Sequence, residues 1–104
     1  MGDGKELRVH NRQEIGKSAH LCFNDEINNV EVEDISMGGA KIKMHGATPE
    51  LKTAVTLEMA PFGDVRGLVA WSRRNSIGLK FDDSNESIGE LLYALASYGN
   101  APTY

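Results

Sequence analysis

Val65-Arg66-Gly67-Leu68-Val69-Ala70-Trp71-Ser72-Arg73-Arg74-Asn75-Ser76-Ile77-Gly78-Leu79-Lys80-Phe81 is the stretch that decides the fold class. Val65, Val69 and Trp71 share one phase of a two-residue period, with Gly67 between them, and Ile77, Leu79 and Phe81 repeat the pattern. Successive strand side chains point to opposite faces, so each segment offers one apolar face to a core. Arg73-Arg74-Asn75-Ser76 supplies the turn that joins them into a hairpin. This reading puts Trp71 in the core. The other place for it is the rim of a ligand site. Arg73 and Arg74 are turn residues in solvent, or they widen an anion-binding surface.

The same alternation runs back along the chain. Ala19, Leu21 and Phe23 form one apolar set, Val30 and Val32 a second, Ala40, Ile42 and Met44 a third, and Val55, Leu57 and Met59 a fourth. The breaks carry turn chemistry: Asn24-Asp25-Glu26 with Asn28-Asn29, Gly38-Gly39, the loop from Gly46 to Lys52, and Pro61-Phe62-Gly63-Asp64. Six short strands at near-regular spacing predict an all-β domain, an antiparallel sheet closed into a small barrel or sandwich. Ile88, Leu91, Leu92 and Leu95 stand at helical spacing. They predict a C-terminal helix over 84–98, capped by Ser84 or by Asp83-x-x-Glu86 and ended by Gly99. Gly89 weakens it by ~0.5–1 kcal/mol relative to alanine. The helix is expected over one mouth of the barrel. Residues 1–15 have no clear period and read as a flexible arm, leaving the barrel to residues 18–82 of a single domain.

Size and charge narrow the function. The chain has 104 residues, 40% of them hydrophobic and 25% charged, with a net charge of −4. A chain of this length buries about 60–68% of its unfolded surface, enough for one core. No apolar run approaches the ~18–20 residues of a membrane span, and the N-terminus lacks the apolar region of a secretory signal. With a single cysteine, Cys22, a cytoplasmic setting is expected. An acidic domain is a poor general binder of DNA or RNA, whose affinity comes from clustered Lys and Arg. An anionic partner must therefore meet a local basic cluster. Residues 25–34 hold five acids and no base, whereas residues 64–80 carry Arg66, Arg73, Arg74 and Lys80 against Asp64 alone.

The sequence offers little for catalysis or metals. It contains no nucleophile elbow, P-loop or dinucleotide fingerprint. His20 and Cys22 stand two apart, but a structural zinc site needs four ligands. The reading is a non-enzyme without a metal or cofactor. Two features point to ligand binding instead. Arg8-Val9-His10-Asn11-Arg12 puts two guanidinium groups on the arm, and these pair with phosphate and stack on flat bases. Asp34-Ile35-Ser36-Met37-Gly38-Gly39 presents a carboxylate and a hydroxyl two residues apart, next to a glycine free of Cβ constraint. A carboxylate suits the N–H edge of guanine. Taken separately, a solvated basic tail and a turn serving only its own backbone are the better accounts of these features.

In sequence order, Arg8-x-x-x-Arg12, then Asp34-x-Ser36-x-x-Gly39, Val69-Ala70-Trp71 and Gly78-Leu79-Lys80-Phe81 resemble the PilZ domain family from about residue 7 to 82. The resemblance implies a six-stranded antiparallel barrel, with the family's C-terminal helix at 84–98. It also implies a bacterial cytoplasmic receptor for cyclic di-GMP. In that reading Arg8 and Arg12 clasp the ligand, Asp34 and Ser36 read the base, and Gly39 lets them approach. The arm would close over the ligand and signal to a downstream protein. Many family members carry a further arginine just before the pair, where this chain has Leu7. That favours one ligand per chain, and nothing in the sequence demands more than a monomer. Glu6 and Glu14 dilute the local positive potential. Some family members lack the arginine pair and act as nucleotide-independent adaptors, which is the alternative reading.

Overall fold

The structure, a computed structural model, describes residues 13–99. Six strands, β1 (Gln13–Phe23), β2 (Glu26–Ile35), β3 (Gly39–Lys43), β4 (Ala54–Glu58), β5 (Asp64–Arg73) and β6 (Ser76–Phe81), precede a helix, α1 (Asn85–Ala94). One π-helical turn, Leu95–Gly99, continues from α1. The strands close into a barrel in the order β1-β2-β3-β6-β5-β4, with antiparallel neighbours throughout. The seam is made by β1 against β4, with Leu21 opposite Leu57. Closure leaves no sheet edge to recruit another strand.

The apolar faces read from the sequence meet inside. Leu21, Val32, Ile35, Ile42, Leu57, Met59 and Ile77 are fully buried, and Ala19, Phe23 and Phe81 pack against them. Each large side chain removed from water in this way stabilises the fold by about 1.5–3 kcal/mol before entropy is counted. Helix α1 adds Ile88 and Leu91 to the same core, and the π turn adds Leu95.

Boundaries and turns differ from expectation in instructive places. β1 begins at Gln13, not at 18, so residues 13–15 belong to the barrel rather than to an arm. Asn28 and Asn29 are strand residues of β2, opposite Leu21 and His20. The β1–β2 turn is Asn24-Asp25 alone, with φ of 52° and 63°. Two positive φ values match the twist of a two-residue hairpin, and Asn and Asp tolerate them. The β5–β6 turn puts Asn75 at φ 65°.

The cap on α1 is also resolved. Ser84 is the N-cap, its Oγ accepting the Ser87 N–H at 3.0 Å. Asp83 has a separate task. Its carboxylate accepts the Ser84 N–H at 2.9 Å and the Arg66 N–H at 3.2 Å, and it faces Arg66 Nε at 3.6 Å. The carboxylate thereby ties the start of α1 to β5. The two backbone N–H groups, helped by the Arg66 guanidinium, hold the Asp83 carboxyl below its usual range.

Candidate functional site

The site starts from a bulge in β2. The β2–β3 register shifts between Val32 and Asp34. Val32 and Ile35 both point inward and are fully buried, although three residues apart they would face opposite sides of a regular strand. The extra residue, Glu33, absorbs the difference and turns Asp34 to the outer face. There Asp34 pairs across the strands with Lys41, Lys41 with Gly78, and Gly78 with Trp71. These four residues form one row over β2, β3, β6 and β5. At ~4.8 Å per strand the row spans about 14 Å.

A second bulge completes the row. The β5–β6 register shifts between Val69 and Trp71. Val69 stays in the core opposite Leu79, but Trp71 is turned outward to lie over Gly78 and is half-buried. Period-two phase had put Trp71 in the core. The glycine is what makes the outer position possible, since a Cβ built at residue 78 would overlap the indole ring. The Arg73 guanidinium sits over the same ring, 5.0 Å from its centroid.

The turn from β2 to β3 forms the lower wall. Ser36 N–H donates to the Gly39 carbonyl at 2.8 Å. The Ser36 hydroxyl accepts from Gly38 N–H at 3.3 Å and donates to the Gly39 carbonyl at 3.4 Å. Phe81 N–H donates to the Gly38 carbonyl at 2.9 Å, locking the turn to the end of β6. Gly39 has a purpose different from the conformational freedom expected of it. A Cβ there would overlap the Leu79 carbonyl oxygen, so the residue is set by close approach of β3 to β6.

Between these walls lies an open concavity of ≈ 350 Å³, lined by Ser36, Gly38, Gly39, Lys41, Trp71 and Lys80 among others. Ser36 and Gly39 are therefore in it. Asp34 stands beside Lys41 at the end of the row, with Oδ1 screened from solvent. Arg8 and Arg12 lie outside the described residues. Lys41 was not singled out in the sequence, and Lys80 was read only as part of the basic stretch 64–80. Each is an outward residue of an alternating strand, and only the β3–β6 pairing makes them neighbours of the turn. Lys41 is also paired with Glu33 at 3.5 Å. A similar concavity of ≈ 370 Å³ crosses β1 and β2, but His20, Glu31, His45 and Glu58 line it. Its two carboxylates would repel an anion, so the lysine-lined groove is the better anion site. Among the described residues no three His, Cys, Asp or Glu converge to hold a metal.

Comparison with known proteins shows the family and the fold. The PilZ domain family model matches residues 6–96, and the chain belongs to that family. Solved structures share the fold, and two of them serve as examples. One is PlzA of Borreliella burgdorferi in complex with c-di-GMP, with a TM-score of 0.61 and 17% identity over 82% of this chain. This chain spans 40% of PlzA's length. The other is an uncharacterised Legionella protein, with a TM-score of 0.59 and 18% identity, covering 85% of this chain and 92% of that one. Among curated proteins nothing matches. No helix among the described residues is long and apolar enough to cross a membrane.

Proposed function

We propose that this chain is a bacterial, cytoplasmic cyclic di-GMP receptor and not an enzyme. The observation that carries the reading is the row Asp34–Lys41–Gly78–Trp71 beside the Ser36–Gly39 turn. It gathers a carboxylate, a cation and a half-buried aromatic on one face of a chain that belongs to the PilZ family. The fold shared with PlzA, solved with c-di-GMP, supports the same ligand. Asp34 accepts from the guanine N–H edge, Ser36 supports it from the braced turn, and Gly39 keeps that turn against β6. Arg8 and Arg12 clasp the phosphates, closing over the ligand from the segment that leads into β1. Closure then presents a changed surface to a downstream protein, the chain acting as a monomer with one ligand.

The energetics are adequate. Hydrogen bonds to charged groups contribute about 1.5–3 kcal/mol each, and micromolar affinity needs about 8 kcal/mol. Two bidentate arginines and one or two base contacts make five or six such bonds, about 7.5–18 kcal/mol before the cost of ordering ligand and protein. The test is a set of variants titrated with cyclic di-GMP and cyclic di-AMP. Arg12→Ala is expected to abolish detectable binding. Asp34→Ala is expected to weaken cyclic di-GMP and to narrow its advantage over the adenine ligand. Unchanged binding in both variants would overturn the assignment.

A further inference from the structure

Arg73 is a cation of this face that the proposed clasp does not use. It lies two residues beyond Trp71 on β5, so it shares the outer face of the groove. Its neighbour across β6 is Ser76, and Ser76 in turn pairs with Lys43 of β3. The rows on either side of Lys41–Gly78–Trp71 thus carry Lys43 with Arg73 on one side and Lys80 on the other. The Trp71 ring holds the Arg73 guanidinium 5.0 Å from its centroid. That contact restricts a long side chain without neutralising its charge, because the partner is a quadrupole and not a carboxylate. A guanidinium held in place at the rim of a groove loses less entropy on pairing with an anion than one free in solvent.

We infer that Arg73 is a ligand-binding residue of this groove, pairing with a phosphate of the bound dinucleotide, and that Trp71 is the residue that positions it. The inference rests on the cyclic di-GMP reading above. It assigns a cation from β5, within the barrel wall, to work alongside the arginines that precede β1. The fork of the guanidinium suits bidentate pairing with phosphate, which an ammonium cannot reproduce. Arg74, next in the chain, lies in the turn and takes no part.

The experiment is calorimetric titration of cyclic di-GMP into the wild-type chain, Arg73→Met, Arg73→Lys and Arg12→Ala. Arg73 is exposed, so the urea midpoint of Arg73→Met should stay near that of the wild type. A charge-assisted contact predicts about ten-fold to a hundred-fold weaker binding for Arg73→Met. Arg73→Lys should fall between Met and wild type, since it keeps the charge and loses the fork. Wild-type affinity in Arg73→Met, with binding lost in Arg12→Ala, would overturn the Arg73 assignment and leave the receptor reading standing. No binding by the wild-type chain would overturn both.

Discussion

Trp71 lies directly over Gly78, and the absence of a Cβ at residue 78 is what lets it do so. The bulge in β5 delivers the indole to the outer face, and the glycine gives it a flat bed. Trp71 is the chain's single tryptophan, so its emission reports on the groove alone. Gly78→Ala should therefore lift the ring away. Because Trp71 is half-exposed, the ring can swing outward while the barrel stays intact. The expected result is a folded protein with an altered Trp71 emission spectrum and a loss of about 1–3 kcal/mol, read from urea unfolding. An unchanged spectrum would contradict the packing.

Gly39→Ala should be worse, although the substitution is chemically the same. Its new methyl group would meet the Leu79 carbonyl oxygen, which belongs to the backbone of a central strand and cannot swing aside. The loss is expected at or above the ~3 kcal/mol end of the overpacking range, with the β3–β6 pairing disturbed. Urea midpoints of the two alanine variants, measured together, check the order.

The link between β5 and α1 predicts a pH effect in acid. The Asp83 carboxyl is held below its usual range by the Ser84 and Arg66 N–H groups and by the Arg66 guanidinium. A folded value below the unfolded one means that this stabilisation is present in full above the ordinary carboxylate range. It is lost as pH falls through that range to the folded value. Asp83→Asn should flatten the acid limb of a stability–pH profile relative to wild type. Ser84→Ala, which removes the cap, should cost about 1 kcal/mol at every pH.

Cys22 should be a sluggish thiol. Burial pushes its pKa up, and the Glu58 hydrogen bond and the nearby Glu58 and Asp64 charges push the same way. Thiolate is the reactive form, so alkylation at neutral pH should run slower than for a free cysteine and speed up only in stronger base. Glu58→Gln should raise the rate at a given pH. Equal rates for wild type and unfolded chain would refute this.

The alternating apolar sets, the hairpin at Arg74-Asn75 and the C-terminal helix could all be read in the sequence, because each rests on local periodicity and turn chemistry. Trp71 and Asp34 show where such reading stops. Each stands just past a bulge, and one inserted residue reverses the face of all that follows in a two-residue period. A phase count therefore put Trp71 in the core. Gly78, a residue without a side chain in an otherwise regular strand, was the available sign that something lay upon it. Lys41 and Lys80 became neighbours of the Ser36–Gly39 turn only through the pairing of β3 with β6, a long-range contact with no local signature. Gly39 was read for conformational freedom, but what requires a glycine there, the Leu79 carbonyl, is tertiary.

The central claim is that this groove receives cyclic di-GMP, and calorimetric titration of that ligand into the full wild-type chain tests it most directly. Micromolar or tighter binding, one ligand per chain and no heat from cyclic di-AMP are expected. No heat up to ~100 μM cyclic di-GMP at two temperatures, where a micromolar site would be saturated, would contradict it.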